Sequence, residues 1–272
     1  MSVFLGGNQV NKLYNGGNQV QKVYRGDSLQ YTTPVTDNLV LWYDGGNTQS
    51  NPGSGSIWYP ISPASSSLTA SLNNGAAFTS SNGGAVNFDG TNDYGQTTSS
   101  VAFDFGTGDF SFEVWVNIVG NAGANADGNK SATLISTIPD TGTITGWNFL
   151  LRGDTSDTGV QLLTEIQRNG VGEYVRYILP SAMTKNTLYQ VGMTKASGVT
   201  KFFINGVAHD ADFDITASAV NSNNNVLNIG RLNFPGYLQY LNGNIAIIRI
   251  YKGKALTSSE ILQNYNAVRY KN

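Results

Sequence analysis

Acidic and amide side chains that could bind a metal ion lie at two places in the sequence. Asp89, Asn92 and Asp93 share the short stretch FDGTNDY, and Asp44 ends the apolar segment LVLWYD. Calcium takes about six to eight oxygen ligands from carboxylates, amides and backbone carbonyls. These four residues therefore predict a calcium site if the two stretches meet. The alternative is a tight turn whose side chains bind their own backbone amides. With no cysteine and one histidine, zinc and other transition metals are disfavoured.

The single histidine, His209, is followed by Asp210 and Asp212, the residue types of a Ser-His-Asp hydrolase. That chemistry also needs a nucleophile on a sharp strand-to-helix turn, for which Gly-x-Ser-x-Gly is the sequence sign. The motif does not occur in the chain. We therefore interpret His209 as a solvated residue in a turn.

Aromatic side chains offer a third kind of chemistry, because the apolar face of a sugar can stack on a ring. Tyr237 and Tyr240, in NFPGYLQYLNG, are predicted in a surface loop before the last strand. Trp115 alternates away from the apolar face of its strand, which predicts a position on the outer or concave side of its sheet. These three residues are the candidates for glycan binding. Burial in a core or an interface is expected for most of the other aromatic residues.

Short strands must position these residues. In FSFEVWVNI, Phe110, Phe112, Val114 and Val116 fall on one face, whereas Trp115 falls on the other. Period-two alternation between turn residues is typical of a strand. Many such strands with little helix predict an all-β fold, an antiparallel two-sheet sandwich.

One stretch near the C-terminus has helical spacing instead. Thr257 and Glu260 form a capping-box pattern at its start. Apolar side chains then follow at helical intervals, namely Ile261, Leu262, Tyr265 and Val268. This pattern predicts one short helix.

A ten-residue phrase opens the chain twice, as GGNQVNKLYN and then GGNQVQKVYR. Glycine turns with alternation between them predict short strands, which are marginal alone. We expect residues 1–31 to be a β-repeat that docks onto other chains; packing on its own domain is the alternative. Residues 32–38, with Pro34 and polar turn formers, are predicted to be a linker. The predicted assembly surface consists of Val10, Leu13, Tyr14, Val20, Val23 and Tyr24.

Charge and hydropathy exclude some partners. The net charge is −2 and no basic stripe occurs, so nucleic acid is not expected as a partner. No apolar run approaches the roughly 20 residues that span a bilayer. The opening MSVFLGG is too short and glycine-rich for a signal peptide, which predicts synthesis in the cytoplasm.

The order of six phrases over residues 39–272 resembles the laminin-G-like, or concanavalin A-like, jelly-roll family. The phrases are LVLWYDGGN, NFDGTNDY, FSFEVWVN, LYQVGMTKASGVTKFFINGV, LNIGR and LNGNIAIIRIYKGKALTSSEILQNYNA. The resemblance implies one jelly-roll domain over these residues. Within the family, the chain is most similar to variants in phage structural proteins. The opening repeat also resembles glycine-punctuated repeats at the ends of phage virion proteins.

The sequence departs from the family in two places. Where such domains often continue Trp-Tyr-Asp, this chain has Pro60 in place of the Asp, and a serine-rich run follows. Glycoside hydrolases of this jelly-roll type use a Glu-x-Asp-x-x-Glu-like strand. Here Glu113 is followed by Trp115 and Asn117, so we predict that the chain is not an enzyme.

The resemblance and the repeat together predict a non-enzymatic phage virion structural protein, as a capsid decoration or a fibre component. It would attach through its repeat and display a lectin-like domain, with other virion proteins and copies of itself as partners. The alternative is an adhesin that binds host cell-surface glycans, and the third hypothesis is a glucanase-type hydrolase. Exposed aromatic residues around a groove would favour the adhesin, and a converging carboxylate pair would favour the hydrolase.

Overall fold

The structure is a computed structural model that describes most of the chain. The described residues are 4–5, 8–9, 14–15, 18–19, 22–25, 28–61, 66–120, 131–153, 161–180, 183–215, 219–234 and 237–268. They form two large antiparallel sheets and one α-helix, as the sequence predicted. Within these residues, no helix is both long and apolar enough to cross a membrane.

The first sheet runs in the order β10–β11–β24–β13–β18–β19–β20, and β7 also pairs with β24. All of its neighbouring strands are antiparallel. Its strands are β7 (Leu39–Asp44), β10 (Ala77–Thr79), β11 (Ala85–Asp89), β13 (Phe110–Ile118), β18 (Leu188–Ala196), β19 (Val199–Ile204), β20 (Val207–Asp210) and β24 (Asn242–Lys252).

The second sheet runs in the order β17–β16–β15–β14–β21–β12–β9–β8. Its strands are β8 (Ile57–Trp58), β9 (Ala70–Asn73), β12 (Tyr94–Thr97), β14 (Ser131–Ser136), β15 (Gly146–Arg152), β16 (Gln161–Arg168), β17 (Val171–Ile178) and β21 (Asn228–Ile229). A separate hairpin follows β21 in the chain and consists of β22 (Arg231–Phe234) and β23 (Tyr237–Tyr240).

Three short hairpins precede the sandwich, one at each glycine-containing dipeptide of the repeat. They are β1–β2 (Phe4–Leu5 and Asn8–Gln9), β3–β4 (Tyr14–Asn15 and Asn18–Gln19) and β5–β6 (Lys22–Arg25 and Ser28–Thr32). The side chains of Tyr14, Val23 and Tyr24 in these hairpins are not among those described. Val10, Leu13 and Val20 lie outside the described residues. The assembly surface therefore stays a prediction.

The hydrophobic core fills the space between the two sheets. Phe112 of β13 stacks on Trp147 of β15, with ring centroids 5.4 Å apart, and also contacts Phe149. The alternating residues of β13 that were predicted to share a face all belong to this core: Phe110, Phe112, Val114 and Val116. The Trp147 indole N–H is satisfied by the Phe103 carbonyl at 3.0 Å.

The predicted helix is confirmed as α1 (Ser258–Val268), and it covers the outer face of the first sheet. Its capping box is formed: the Thr257 N–H donates to Glu260 at 2.9 Å, and the Glu260 N–H donates to Thr257 at 3.3 Å. Beneath the helix, Trp115 stacks on Tyr265 with ring centroids 5.6 Å apart and is 1% exposed. The prediction that Trp115 offers a surface for sugar was therefore wrong, because α1 covers that side of the sheet.

The segment predicted to be a linker is folded onto the sandwich. Val35 is buried beside Ile261 in a small apolar cluster. Its N–H donates to the Asn264 side chain at 2.8 Å, and its carbonyl accepts from the Tyr251 hydroxyl at 3.0 Å. The Gln263 side chain also donates to the Thr33 carbonyl at 2.9 Å. Residues 33–35, which lead into the sandwich, are therefore held against α1.

Candidate functional site

The outer face of the second sheet carries polar side chains on four neighbouring strands. On β15, Trp147, Phe149 and Leu151 face the core, so Asn148 and Arg152 point outward because successive side chains alternate. Residues opposite them on the neighbouring strands share this face. The outward residues of β14, β16 and β17 are Ser131, Thr133, Gln161, Leu163, Glu165, Gln167, Gly172, Tyr174, Arg176 and Ile178.

Glu165 organises one end of this outer face. Its Oε1 atom accepts hydrogen bonds from the Gln167 side chain and, at 3.4 Å, from the Tyr174 hydroxyl. Burial raises the pKa of the Tyr174 phenol, and the nearby Glu165 carboxylate raises it further. The phenol therefore stays protonated as a donor at neutral pH, while the ring is 48% exposed.

The absence of a side chain at Gly172 leaves space for the side chains of Gln167 and Tyr174. It lies opposite Gln167 in the β16–β17 pairing. A Cβ atom at Gly172 would lie 2.8 Å from Gln167 Nε2 and 3.0 Å from the Tyr174 hydroxyl. Gln167 is buried, and its Oε1 atom has no hydrogen-bond partner among the described residues. An amide oxygen that can accept a hydrogen bond, Gln167 Oε1, therefore belongs to the same cluster as the exposed Tyr174 ring and has no donor among the described residues.

The β22–β23 hairpin lies over β14 and borders the face. Gln239 Oε1 accepts from Thr133 Oγ1 at 2.9 Å and from Asn148 Nδ2 at 3.5 Å. Tyr237 and Tyr240, predicted in a surface loop, lie instead on β23, where Tyr237 is 44% exposed and Tyr240 is half-buried. Their role in glycan binding stays a prediction.

A buried arginine fixes the hairpin to the sheet. The Arg231 guanidinium donates to Asp140 at 2.8 Å and to Asn228 at 3.2 Å, and it lies 3.5 Å from the centre of the Tyr94 ring. Asn233 of the same hairpin also donates to Asp140 at 3.1 Å. The hairpin is therefore held in place by charge-assisted hydrogen bonds, which are among the stronger kind.

This outer face offers groups of the kind that a hydroxyl-rich ligand requires. Amide and phenol groups both donate and accept hydrogen bonds, and the Glu165 carboxylate accepts them. The Tyr174 ring offers an apolar surface. Glycoside hydrolysis by the common mechanisms needs two carboxyl groups. Within the described strands of this sheet, Glu165 is the one carboxylate that points outward. The arrangement is suited to binding.

The predicted calcium ligands do not all meet. Asp89 caps its own turn, since its carboxylate accepts from the N–H groups of Thr91 at 2.7 Å and Asn92 at 3.4 Å. Asp93 is buried and accepts from the Asp89 N–H at 3.1 Å. Asp44 lies opposite Ile247 of β24, whereas Asp89 lies opposite Asn242. Five residues along a strand are about 16 Å, so Asp44 was wrongly grouped with the other two.

Calcium at Asp89, Asn92 and Asp93 stays a prediction. Among the described residues, no group of three or more histidine, cysteine, aspartate or glutamate side chains could hold a metal ion. Hydrogen bonds to the Thr91, Asn92 and Asp93 backbone lower the pKa of Asp89. If calcium binds there, a chelator should lower the melting temperature, since calcium at a hundredfold excess over its dissociation constant stabilises the fold by about 2.7 kcal/mol. Equal melting temperatures in calcium and in chelator would remove the site from consideration.

The other residues considered for catalysis are engaged elsewhere. Glu113 lies on the outer face of the first sheet, fully buried under α1, and pairs with Arg249. His209 is on β20 and stacks on Tyr177 with centroids 4.5 Å apart; it is half-buried in a strand and does not lie in a turn. Asp210 pairs with Lys201 at 2.7 Å, and Asp212 pairs with Arg176 at 2.6 Å.

Sequence reasoning did not single out Glu165, Gln167 or Tyr174. The stretches VQLLTEI and EYVRYIL predict strands, but pairing register is non-local and does not follow from either stretch alone. The available signal was polar alternation, with Gln161, Glu165 and Gln167 on one side of a strand.

The fold and the outer face define the class as a lectin-like jelly roll. A sequence model of the concanavalin A-like lectin/glucanases superfamily, of laminin-G type, matches residues 89–262. This is more than half of the chain, and the protein belongs to that family. None of the curated proteins compared with the chain matches it.

Solved structures share this fold at low sequence identity. The binding domain of botulinum neurotoxin serotype G has a TM-score of 0.60 at 15% identity, over 84% of this chain and 50% of that one. Domain 4 of an extracellular arabinanase from Geobacillus stearothermophilus, in complex with arabinotriose, has a TM-score of 0.55 at 15% identity, over 84% of this chain and 98% of that one. Trypanosoma rangeli sialidase has a TM-score of 0.58 at 13% identity, over 91% of this chain and 35% of that one. The chain thus spans about half of the neurotoxin domain.

Proposed function

We propose that the chain is a non-catalytic carbohydrate-binding protein whose ligand lies on the outer face of the second sheet. The observation that carries this proposal is the cluster of Glu165, Gln167 and Tyr174. It combines an exposed ring with a protonated phenol and an unused amide oxygen. Buried polar groups without partners are costly, and sugar hydroxyls would satisfy them. The arabinotriose complex of the arabinanase domain lends the proposal support by analogy of fold.

We further propose that a phage particle displays this domain through the N-terminal repeat. The ten-residue repeat and the phage-like family variant in the sequence favour this role over that of a free adhesin. The segment that leads into the sandwich is held against α1, on the outer face of the first sheet. The proposed ligand face belongs to the second sheet, on the other side of the core. A particle that holds the repeat would therefore leave the ligand face free.

Glycan binding should depend on the Tyr174 ring. We expect Tyr174→Ala to weaken binding of oligosaccharides found by array screening about tenfold, which corresponds to about 1.4 kcal/mol. Gly172→Ala should weaken it too, because the added methyl group displaces Gln167 and Tyr174. Calorimetric titration of each variant against the wild type measures both effects. Tyr237→Ala tests the contribution of the hairpin in the same assay.

Tyr59→Ala is the matched control. Tyr59 is 43% exposed and follows β8, at the opposite edge of the second sheet from β17. Its loss should leave the affinity unchanged. Equal affinity of Tyr174→Ala and the wild type for every bound oligosaccharide would disprove the assigned face. Turnover of a polysaccharide that Glu165→Gln abolishes would show that the protein is an enzyme.

A further inference from the structure

A second polar group lies on the same outer face, at the other end of β16 from Glu165. Ser131 of β14 lies opposite Arg152 of β15, and Arg152 lies opposite Gln161 of β16. Because opposed residues share a face, the three side chains form a row across three strands. We call this set the Arg152 row.

Each member of the Arg152 row has a buried polar atom without a hydrogen-bond partner among the described residues. These atoms are Ser131 Oγ, Arg152 Nε and Gln161 Oε1. Ser131 is fully buried. Three adjacent unpartnered atoms are unusual, because nearly all buried polar groups in native structures are hydrogen-bonded. Donors and acceptors that lie side by side without partners are what a binding site for a polar ligand requires.

Arg152 also has no carboxylate partner in the part of the chain that the structure describes. The other arginines whose side chains are described each form an ion pair: Arg168 with Glu173, Arg176 with Asp212, Arg231 with Asp140 and Arg249 with Glu113. No ion pair joins Arg152 to a carboxylate among the described residues, and Glu165 instead binds Gln167 and Tyr174. A guanidinium is a planar fork of donors that matches a carboxylate or sulfate group.

We propose that the Arg152 row binds the anionic group of an acidic glycan, a sugar carboxylate or sulfate. The inference rests on the proposed carbohydrate-binding function and names the ligand class of that face. The half-buried Arg152 guanidinium donates to the anion, and the half-buried Gln161 side chain beside it accepts from a neighbouring sugar hydroxyl.

The Arg152 row and the Glu165 cluster are close enough to serve one ligand. Gln161 and Glu165 are separated along β16 by about 13 Å, the length of a short oligosaccharide. The positive charge of Arg152 also reaches the Tyr174 phenol, where it acts to lower the pKa against the effects of burial and Glu165. The anionic group therefore lies at Arg152 while another sugar of the same chain stacks on Tyr174.

The experiment compares charged and neutral forms of the same sugars by calorimetric titration at low salt. The probes are trigalacturonate and its methyl ester, and sulfated and unsulfated dextran oligosaccharides. We expect the wild type to bind an acidic probe at least tenfold more tightly than its neutral form. Arg152→Gln should reduce the ratio of the two affinities to about one, because the remaining amide carries no charge. A preference for trigalacturonate assigns a carboxylate, and a preference for sulfated dextran assigns a sulfate.

Arg168→Gln is the matched control, since it removes the same charge from a half-buried ion pair at the far end of β16. It should keep the preference for the acidic probe. If both variants lose the preference for the acidic probe equally, long-range attraction by positive charge accounts for it, and the inference is overturned. No preference in the wild type, with neutral probes still bound, would overturn it too while the proposed function stands.

Binding of no probe at all would overturn the proposed function. In that case the anion site is tested separately. Sodium sulfate is added to the protein while the Nε–H resonance of Arg152 is followed by NMR. A saturating shift that Arg168→Gln retains would support the site, and an unchanged resonance would remove it.

Discussion

Arg249→Met should lower the free energy of unfolding by about 3–5 kcal/mol, the typical cost of breaking a buried ion pair by removing one partner. Arg249 is 1% exposed and Glu113 is fully buried beneath α1. The substitution removes the cation and leaves the Glu113 carboxylate buried with only neutral hydrogen-bond donors. Methionine keeps an unbranched apolar stem, so less packing is lost than in Arg249→Ala.

The remaining partners of Glu113 cannot replace the lost charge. Gln190 Nε2 donates to the carboxylate at 3.0 Å, and Asn264 Nδ2 donates at 3.1 Å. Both are neutral amides, and each also accepts a hydrogen bond from the backbone. Gln190 Oε1 accepts from the Gly206 N–H at 2.9 Å, and Asn264 Oδ1 accepts from the Val35 N–H. Loss of Arg249 therefore disturbs a network that joins the first sheet, α1 and residues 33–35.

Chemical denaturation followed by tryptophan fluorescence measures this effect. The double variant Glu113→Gln/Arg249→Met should recover most of the loss, because a neutral amide keeps acceptors for Gln190 and Asn264 without a buried charge. Arg168→Met is the control at a more accessible pair, because the Arg168 side chain is 36% exposed. Loss of its pair with Glu173 should cost about 1 kcal/mol or less. If Arg249→Met lowers the free energy of unfolding no more than Arg168→Met does, the buried pair contributes no more to stability than the Arg168–Glu173 pair.

Local patterns in the sequence predicted the secondary structure and the core well. The alternation of Phe110, Phe112 and Val114 placed one face of β13 in the core, because a strand has a period of two wherever it occurs. The capping box of Thr257 and Glu260 likewise predicted the start of α1, since both of its hydrogen bonds are local. Such features depend on residues close together in the chain.

Features that depend on distant parts of the chain could not be predicted in this way. Alternation placed Trp115 on the other face of β13, but it carries no information about α1, which covers that face. The polar composition of residues 32–38 indicated a linker, yet Val35 is held by Asn264 and Tyr251, more than 200 residues later. The Arg152 row likewise depends on the register of three strands.

Because of the contacts of Val35, the stability of a truncated chain should depend on whether it begins before or after this residue. A fragment that begins at Thr33 retains Val35 with both of its backbone hydrogen bonds, and it should melt cooperatively like the full-length chain. A fragment that begins at Thr36 loses them and leaves Asn264 Oδ1 without its donor. Burial of a valine side chain contributes about 1.5–3 kcal/mol, and each hydrogen bond contributes about 1 kcal/mol. The second fragment should therefore be less stable than the first by about 3–5 kcal/mol.

The same pair of fragments separates folding from assembly. If residues 1–31 are a docking module, the Thr33 fragment folds but does not join oligomers or particles formed by the full-length chain, as measured by light scattering and sedimentation. Aggregation of this fragment would instead mean that the repeat covers part of the sandwich. Equal stability of the two fragments would contradict the role of Val35. Its buried side chain and two backbone hydrogen bonds would then contribute nothing to the free energy of unfolding beyond what the rest of α1 and the first sheet supply.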